Sequence, residues 1–343
     1  MSDHTQPNPL SRPLSRRRVL QIGASAGTLL AVPRAVRATA PRVHRLSWQG
    51  WALGAQASAT LLAADRAEGH AALAALESEL RRLEAVFSLF QRDSSLSRLN
   101  RAGVLTDPPS ELVEVLRQAL EMASWTGGQF DPSVQPLWQL HAAAAQQGRQ
   151  ASAEDIKAAR ALVNWRAVEV SEAEIRFQRL GMAVSLNGIA QGAITDRLAD
   201  LLATRGFGDL LLDLGEMRGA GAPSLDRPWR IALPGWTDPL TLGALGDYRA
   251  LATSATDGTP LLPGQGVHHL FDPSTGRSSA TPCRVTVAAS TACLADGLST
   301  ALALLPVDKA APLLHQAGAH RAWIATGAAL DETHDISTNS ENI

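Results

Sequence analysis

The sequence predicts an α+β fold, with mixed, mostly antiparallel sheets and flanking helices, and three observations support this prediction. Leucines recur at helical spacing in several segments, with charged residues between them. Other segments alternate apolar and polar residues, as half-buried strands do. The two kinds of segment follow one another without a regular strand–helix–strand repeat, which disfavours a parallel sheet.

The predicted helices combine apolar periodicity with start signals. Leucines spaced by three or four residues identify the first of them, and Ser110 is expected to cap the second. Ser152 and Asp155 resemble a capping box ahead of the third, and glycines open the fourth. The predicted helices cover residues 70–87, 110–124, 153–162, 187–206, 292–302 and 310–316.

The predicted strands are short apolar or alternating runs bounded by turn residues. They cover residues 43–62 (one or two strands), 168–170, 174–178, 183–186, 209–216, 229–233, 248–253, 285–289 and 320–325. Together with the helices, they define one predicted domain over residues 41–330. The polar residues 331–343 are expected to form a disordered tail.

The first forty residues carry the pattern of a twin-arginine signal peptide. Arg16 and Arg17 precede a short apolar run from Val19 to Val32, and a small-residue site, 38–40, follows it. The run is too short to span a bilayer well. The sequence therefore predicts export in a folded state to a bacterial periplasm, with a membrane anchor as the alternative if the signal is not cleaved.

The composition limits the class of function. Hydrophobic residues make up 45% of the 343 residues and charged residues 19%, which is typical of a globular protein. Removing the predicted signal, with its five net positive charges, changes the formal charge from −2 to −7. An acidic body without a basic cluster argues against binding to nucleic acid.

The two cysteines of the chain, Cys283 and Cys293, leave two interpretations open. An oxidising periplasm permits a disulfide between them, and two buried free thiols are the alternative. Without an accompanying histidine pattern, they do not form a zinc site.

The segment ACLADGLSTAL at 292–302 places Asp296 and Thr300 one helical turn apart on the same face. A carboxylate and a hydroxyl in this arrangement suit Mg²⁺ better than zinc or iron. Because Mg²⁺ usually keeps few protein ligands and binds substrate phosphates, the pair indicates a protein that handles a phosphorylated molecule. The alternative is that Asp296 only caps its helix.

Seven motifs in order resemble those of ApbE-type FAD:protein FMN transferases, and in particular the NosX-like branch exported by the twin-arginine pathway. The resemblance extends from about Trp48 to Leu305. The motifs are FSLFQRDSSLSRLN (87–100), TGGQFDPSVQPL (126–137), LNGIAQGAITDR (186–197), LLLDLGE (210–216), ATS (252–254), HHLFDPSTG (268–276) and ADGLSTAL (295–302).

The resemblance implies an ApbE-like fold and a periplasmic transferase that uses Mg²⁺ and has FAD as substrate. Such an enzyme attaches FMN to a threonine or serine hydroxyl of a target protein and releases AMP. The implied partner is a membrane flavoprotein that carries the acceptor hydroxyl. For a NosX-like protein this partner is the regulatory membrane flavoprotein of nitrous oxide reduction.

The resemblance also assigns roles to individual residues. His269 and Asp296 are the implied catalytic residues. The implied metal ligands are Gly188 through its backbone oxygen, Asp296, Ser299 and Thr300. The implied FAD contacts are Leu53, Phe90, Gln129, Phe130, Asp131, Ser185, Gln191 and Leu270.

Three positions depart from the family pattern. Ser185 and Gln191 replace the usual aspartate and lysine of their motif, so a cationic contact is lost and Gln191 can only hydrogen-bond. Leu53 replaces a frequent methionine of similar volume, so its apolar contact with the flavin can survive. The opening of the helix after Gly188 is expected to offer free N–H groups to a pyrophosphate.

Several residues have a structural alternative. Phe90 is equally consistent with a place in the core, and Asp131 with a simple turn before Pro132. For His269, a role as general base or phosphate contact competes with an orienting hydrogen bond. His268 and His269, if on a strand, point to opposite faces and do not share a metal. Asp272 is expected to fix its turn.

Two other functions remain as alternatives to FMN transfer. The same site with water as nucleophile would hydrolyse FAD to FMN and AMP. A non-catalytic FAD-binding or assembly protein is the third hypothesis, and the replacements at Ser185 and Gln191 motivate it.

Overall fold

The computed structural model describes residues 43–224, 226–233, 236, 238–244, 246–279 and 281–338, which form one compact unit. The predicted signal peptide lies outside the described residues. Among the helices of the described ranges, none is both long and apolar enough to cross a membrane.

The helices include all those predicted from apolar periodicity. Their bounds are α1 Arg66–Phe87, α2 Ser95–Ala102, α3 Ser110–Trp125, α4 Gln135–Gln146, α5 Ala153–Arg160, α6 Ala190–Thr204, α7 Ala292–Leu302 and α8 Ala310–Ala317. At the start of α5, Ser152 Oγ accepts the N–H of Asp155, as predicted. Ser110 is the first residue of α3 rather than its cap, since Pro109 holds the cap position.

The strands are mostly short. Their bounds are β1 His44–Ala52, β2 Ala55–Ala63, β3 Val104–Thr106, β4 Val168–Val170, β5 Glu174–Phe177, β6 Leu210–Asp213, β7 Met217–Ala220, β8 Trp229–Ile231, β9 Leu240–Leu242, β10 Ala250–Ala255, β11 Pro260–Leu262, β12 Val267–His268, β13 Phe271–Asp272, β14 Arg277–Ser278, β15 Cys283–Ala289, β16 Arg321–Thr326 and β17 Glu332–Ser337.

One eight-stranded sheet organises the fold, in the order β1-β2-β6-β7-β10-β15-β16-β17. Every neighbouring pair in it is antiparallel, which confirms the predicted pairing. Helices α1, α6 and α7 pack against this sheet. The alternation of side chains along β10 and β15 explains how the sheet is covered on both faces.

Two apolar clusters lie on opposite faces of the sheet. Val285 and Val287 of β15 belong to the main cluster with α1, α6 and α7. Ala288, on the next position of the same strand, belongs to a second cluster with Trp229 and Trp323. Because β15 is covered on both faces, every residue of the strand except Arg284 is buried, including Thr286.

The prediction of a strand at residues 183–186 is wrong. The backbone of Val184 is paired with a side chain instead of a neighbouring strand: its N–H donates to Asn100 Oδ1 at 2.7 Å, and its carbonyl accepts from Asn100 Nδ2 at 2.8 Å. The N–H of Ser185 donates to the carbonyl of Pro132. The apolar run is buried, but α2 and a loop satisfy its polar groups.

The prediction of a disordered tail from residue 331 is wrong for Glu332–Ser337. These residues form β17, which pairs antiparallel with β16 from Arg321 to Thr326. The strand lies at the edge of the sheet and is largely exposed, so its side chains remain polar and give no apolar signal. The last residues, 339–343, lie outside the described part of the chain.

Candidate functional site

Two glycines allow a close approach to α7: Gly192 of α6 lies against its backbone, and Gly188 lies against the side chain of Thr300. A Cβ atom added at Gly192 would lie 2.3 Å from the carbonyl oxygen of Ala292. One added at Gly188, just before α6, would lie 2.9 Å from Thr300 Oγ1. Any larger residue at position 192 would push the two helices apart, so their close approach depends on the glycine.

Asp296 lies at the centre of this contact. Its side chain is only 3% exposed, and its Oδ2 accepts the N–H of Gly192 at 3.0 Å. Thr291 is the N-cap of α7, so the alternative in which Asp296 caps its own helix is wrong. Asp296 instead joins α7 to the first turn of α6 and presents a carboxylate inside the protein.

Three hydroxyl groups surround the second and third turns of α7. Ser254 Oγ, on β10, lies 2.8 Å from Ser299 Oγ and 3.2 Å from Thr300 Oγ1. Ser299 is fully buried, and its hydroxyl donates to the carbonyl of Asp296 at 3.0 Å. The structure therefore brings together Gly188, Asp296, Ser299 and Thr300, the four residues predicted as metal ligands.

The donor set is all oxygen. Within the described ranges, no group of three or more His, Cys, Asp or Glu side chains is arranged to hold a metal ion. A site built from one carboxylate, hydroxyl groups and backbone carbonyls fits a hard cation such as Mg²⁺, which takes few carboxylates and fills its other positions with water or substrate phosphate. The residues present are compatible with the predicted ion.

A second buried carboxylate, Glu216, lies near Asp296. Burial raises the pKa of Asp296 to about 7. Burial and the neighbouring charge of Asp296 raise the pKa of Glu216 well above its usual value. Glu216 Oε2 accepts the N–H of Thr253 at 3.3 Å, which ties this carboxylate to β10. Two carboxylates in one buried region create an environment that favours a cation.

The raised pKa of Asp296 predicts how stability depends on pH without divalent cations. Between about pH 4 and pH 7 the folded carboxyl keeps a proton that the unfolded chain releases, so this group lowers the stability as the pH rises. Asp296→Asn is expected to unfold at a higher temperature than wild type at pH 8 and to differ little at pH 4. Thermal unfolding in EDTA measures this, and a difference independent of pH would contradict it.

The start of α6 offers fewer free N–H groups than predicted. The N–H of Ala190 donates to the carbonyl of Leu186 at 2.7 Å, and that of Gly192 donates to Asp296. The helix opening is therefore used largely to hold α7 and its own first turn. Any electrostatic help to a phosphate comes from the remaining dipole of the helix.

Ser185 precedes the glycine motif NGIAQG at 187–192, and Gln191 lies within it. Ser185 Oγ accepts the N–H of Asn187 at 3.4 Å, while its backbone is tied to Pro132. Gln191 Nε2 donates to the carbonyl of Leu214 at 3.0 Å, at the turn that leads to Glu216. Gln191 thus holds the β6–β7 turn against α6, a contact that needs no positive charge.

The side chains of Gln129, Phe130 and Asp131 make contacts within the protein. Asp131 is buried, and its Oδ1 accepts both the N–H and the hydroxyl of Ser133, so it forms a turn at Pro132. Burial raises the pKa of this carboxyl. Phe130 is part of the main apolar cluster. Gln129 Nε2 donates to Asp272 Oδ1 at 3.2 Å, which links this motif to DPSTG.

Leu53 and Phe90 both lie near the C-terminal end of α1. Leu53 occupies the β1–β2 turn with a positive φ of 47°, and its N–H donates to Glu84 Oε1 at 2.8 Å. Phe90 is 75% exposed, so the alternative of a core position is wrong. Trp51, at the end of β1, is 65% exposed. An exposed aromatic ring here is available to stack on a planar ligand.

The two adjacent histidines have different surroundings. Both ring nitrogens of His268 have hydrogen-bond partners: Nε2 lies 2.9 Å from the carbonyl of Ser279, and Nδ1 accepts the N–H of Leu270 at 3.3 Å. His269 Nδ1 is buried without a hydrogen-bond partner in the described chain. Burial lowers the pKa of His269, so its ring is neutral near pH 7 and can accept a proton.

The segment around these histidines is held by its own turn. Asp272 Oδ1 accepts the N–H and the hydroxyl of Ser274 at 2.8 and 2.7 Å, as expected for a residue that fixes the DPSTG turn. Leu270 is buried in the main apolar cluster. A cleft of about 510 Å³ opens on the side of His268.

Sequence reasoning missed two residues of this site. Glu216 was part of a motif but received no role, although an acidic residue directly after a buried strand and a glycine is an available signal. Ser254, in the ATS motif, lies on a strand that precedes Ser299 and Thr300 by more than forty residues. Its contact with them follows from the packing of α7 on β10.

Both cysteines are buried free thiols, which decides between the two interpretations. Cys293 Sγ donates to Gln118 Oε1 at 2.8 Å, and Cys283 Sγ donates to the carbonyl of Ala303 at 3.4 Å. Burial raises the pKa of Cys283 to about 11, so this thiol stays protonated and unreactive.

Comparison with known proteins gives consistent matches. The model of the ApbE family matches residues 53–324. A Vibrio cholerae FAD:protein FMN transferase is 30% identical over 251 residues, with 68% of this chain and 74% of the relative covered. The enzyme of the same name from Treponema pallidum is 28% identical over 283 residues, with 73% and 75% covered.

Solved structures share the fold. The apo flavinyl transferase ApbE of Pseudomonas stutzeri superposes with a TM-score of 0.72 at 23% identity, over 87% of this chain and 96% of that one. The ApbE protein of Thermotoga maritima gives 0.74 at 24% identity, over 86% and 98%. The predicted fold class is thereby confirmed, and the chain belongs to the ApbE family.

Proposed function

We propose that this protein is an FAD:protein FMN transferase whose reaction depends on Mg²⁺. The observation that carries the proposal is the oxygen cluster of Asp296, Ser299 and Thr300 on α7, closed by the backbone of Gly188. The names of the related enzymes support the reaction type. The all-oxygen donor set supports the ion.

In this proposal Asp296, Thr300 and the carbonyl of Gly188 hold Mg²⁺, and Ser299 supports them through its hydroxyl. Bound there, the ion would neutralise negative charge on the pyrophosphate of FAD. The protein holds the ligand atoms in place. The hydrogen bond from the N–H of Gly192 to Asp296 Oδ2 fixes one carboxylate oxygen and so orients the other. Since metal binding requires the ionised form of Asp296, binding releases a proton when the carboxyl is protonated.

His269 is the proposed general base. Its neutral ring accepts the proton of the target hydroxyl at Nε2 as that oxygen attacks the phosphorus on the FMN side of FAD. A new phosphoester bond forms, the bond to the bridging pyrophosphate oxygen breaks, and AMP leaves with the electron pair. The buried position of the ring keeps it unprotonated near neutral pH.

The FAD contacts divide by exposure. Phe90 is exposed enough to stack on the flavin, and Leu53 offers an apolar contact at the β1–β2 turn. The other contacts are more buried. Gln129, Phe130 and Asp131 shape the adenine side, Leu270 adds an apolar contact, and Ser185 and Gln191 hold the glycine motif in place.

We further propose that the protein acts in the periplasm after twin-arginine export. The proposed acceptor is a membrane flavoprotein with a threonine or serine hydroxyl, in the first instance the regulatory flavoprotein of nitrous oxide reduction. The resemblance to the exported NosX-like branch and the twin-arginine sequence support this location and partner.

The test is mass spectrometry of an acceptor after incubation with this protein, FAD and Mg²⁺. A suitable acceptor is the recombinant periplasmic domain of such a membrane flavoprotein, with its Thr/Ser→Ala variant as control. We expect one FMN phosphoester on the wild-type acceptor, none on the control, and AMP in equal amount. AMP without an adduct would identify a hydrolase, and intact FAD with a competent acceptor would identify a binding protein.

A further inference from the structure

Asp196 of α6 holds the first turn of α7 through both of its carboxylate oxygens. Its Oδ1 accepts the N–H of Ala292 and its Oδ2 that of Cys293, each at 2.9 Å. These are the first two residues of α7, whose N–H groups have no partner within the helix. The position and direction of the start of α7 are therefore fixed by a residue on another helix.

Arg218 of β7 completes this arrangement. Its Nη1 donates to Asp196 Oδ1 at 2.5 Å and to the carbonyl of Ser290 at 3.3 Å. The side chains of Arg218 and Asp196 are only 17% and 15% exposed. The pair joins the main sheet, α6 and Ser290, two residues before α7, in one network of charge-assisted hydrogen bonds.

The contacts between the two helices form a regular series. Gly188 lies against Thr300, Gly192 donates to Asp296, and Asp196 accepts from Ala292. From one contact to the next, the residue number rises by four on the side of α6 and falls by four in α7. Four residues are about one helical turn, so the two helices run antiparallel and touch once per turn. The first two contacts contain the proposed metal ligands. The third, at Asp196, is the one anchored to the sheet.

We propose that Asp196 is a positioning residue for the divalent cation site. It acts through α7: by anchoring the first turn of that helix, it sets the distance from Asp296 and Thr300 to the backbone of Gly188. This inference rests on the proposed function, because it assigns Asp196 to the same metal site. Substitution of a residue that holds metal ligands in position without contacting the metal typically lowers metal affinity by about 10- to 100-fold.

The experiment is a titration of the protein without its signal peptide with Mn²⁺, in which electron paramagnetic resonance counts the free ion. In Asp196→Asn the amide oxygen can still accept one N–H of α7. The amide nitrogen cannot accept the second N–H, and the negative charge is lost. We expect its Kd for Mn²⁺ to rise about tenfold. Asp200→Asn, an exposed acidic position one turn further along α6, is the matched control and is expected to leave the Kd unchanged.

A kinetic measurement separates positioning from general damage to the fold. In the FMN transfer assay, Asp196→Asn is expected to raise the Mg²⁺ concentration needed for half-maximal rate about tenfold, with kcat at saturating Mg²⁺ within about threefold of wild type. A lower kcat that excess Mg²⁺ does not restore would overturn the inference.

The outcomes distinguish this inference from the proposed function. Wild-type protein that binds no Mn²⁺ would refute the metal site itself. Wild-type binding with an equal Kd in Asp196→Asn would refute only the role of Asp196. If circular dichroism shows that Asp196→Asn does not fold, Arg218→Gln decides, since it leaves both bonds from α7 to Asp196. We expect about a threefold rise in its Kd, and an unchanged value would count against the network.

Discussion

Asp296→Asn is expected to lower the rate of FMN transfer about a thousandfold at saturating FAD and Mg²⁺. The amide keeps the shape of the side chain and can still accept the N–H of Gly192, so the fold is retained. It cannot carry the negative charge that holds the cation. Loss of the cation removes several kcal/mol of transition-state stabilisation, and about 4 kcal/mol corresponds to three orders of magnitude.

The measurement is the rate of adduct formation on the acceptor, followed by mass spectrometry, with Mn²⁺ binding as a second readout. Both should fall together in Asp296→Asn. Asp308→Asn, at a separate acidic position between α7 and α8, serves as the control and should match wild type. A variant that retains transfer within tenfold of wild type would show that the carboxylate of Asp296 does not hold the cation.

His269→Gln is expected to slow the transfer about a hundredfold, since a positioned general base typically contributes two to four orders of magnitude. Glutamine has a similar reach and can hydrogen-bond, but it accepts no proton near neutral pH. The orienting alternative predicts a much smaller loss, because the amide would keep that hydrogen bond. His315→Gln, an exposed position in the last turn of α8, is the control.

The pH dependence gives a second criterion for His269. Burial lowers its pKa below the usual 6.5, so the neutral, proton-accepting ring persists on the acid side of that value. At Mg²⁺ concentrations that saturate the site and so keep Asp296 ionised, the rate of wild-type transfer should therefore stay level down to about pH 6.5 and decline only below it. This decline should be absent in His269→Gln, and a decline of equal shape in the variant would assign the titration to another group.

The sequence alone predicted the three longest helices, α1, α3 and α6, because their apolar period is a property of neighbouring residues. It did not predict α4, whose segment is rich in alanine and glutamine. It did place Asp296 and Thr300 on one face of α7, since residues four apart in a helix always share a face. The order of the seven motifs then indicated the family. These conclusions depend on local periodicity and residue type, which the linear chain contains.

Only the tertiary structure decided how these residues are used. The proximity of Glu216 to Asp296, the contact of Ser254 with Ser299, and the bond from Gly192 to Asp296 join positions far apart in the chain. The same holds for residues 183–186, where a side chain replaced the predicted strand partner. Burial raises or lowers a pKa according to what surrounds the group, and packing between distant segments supplies those surroundings.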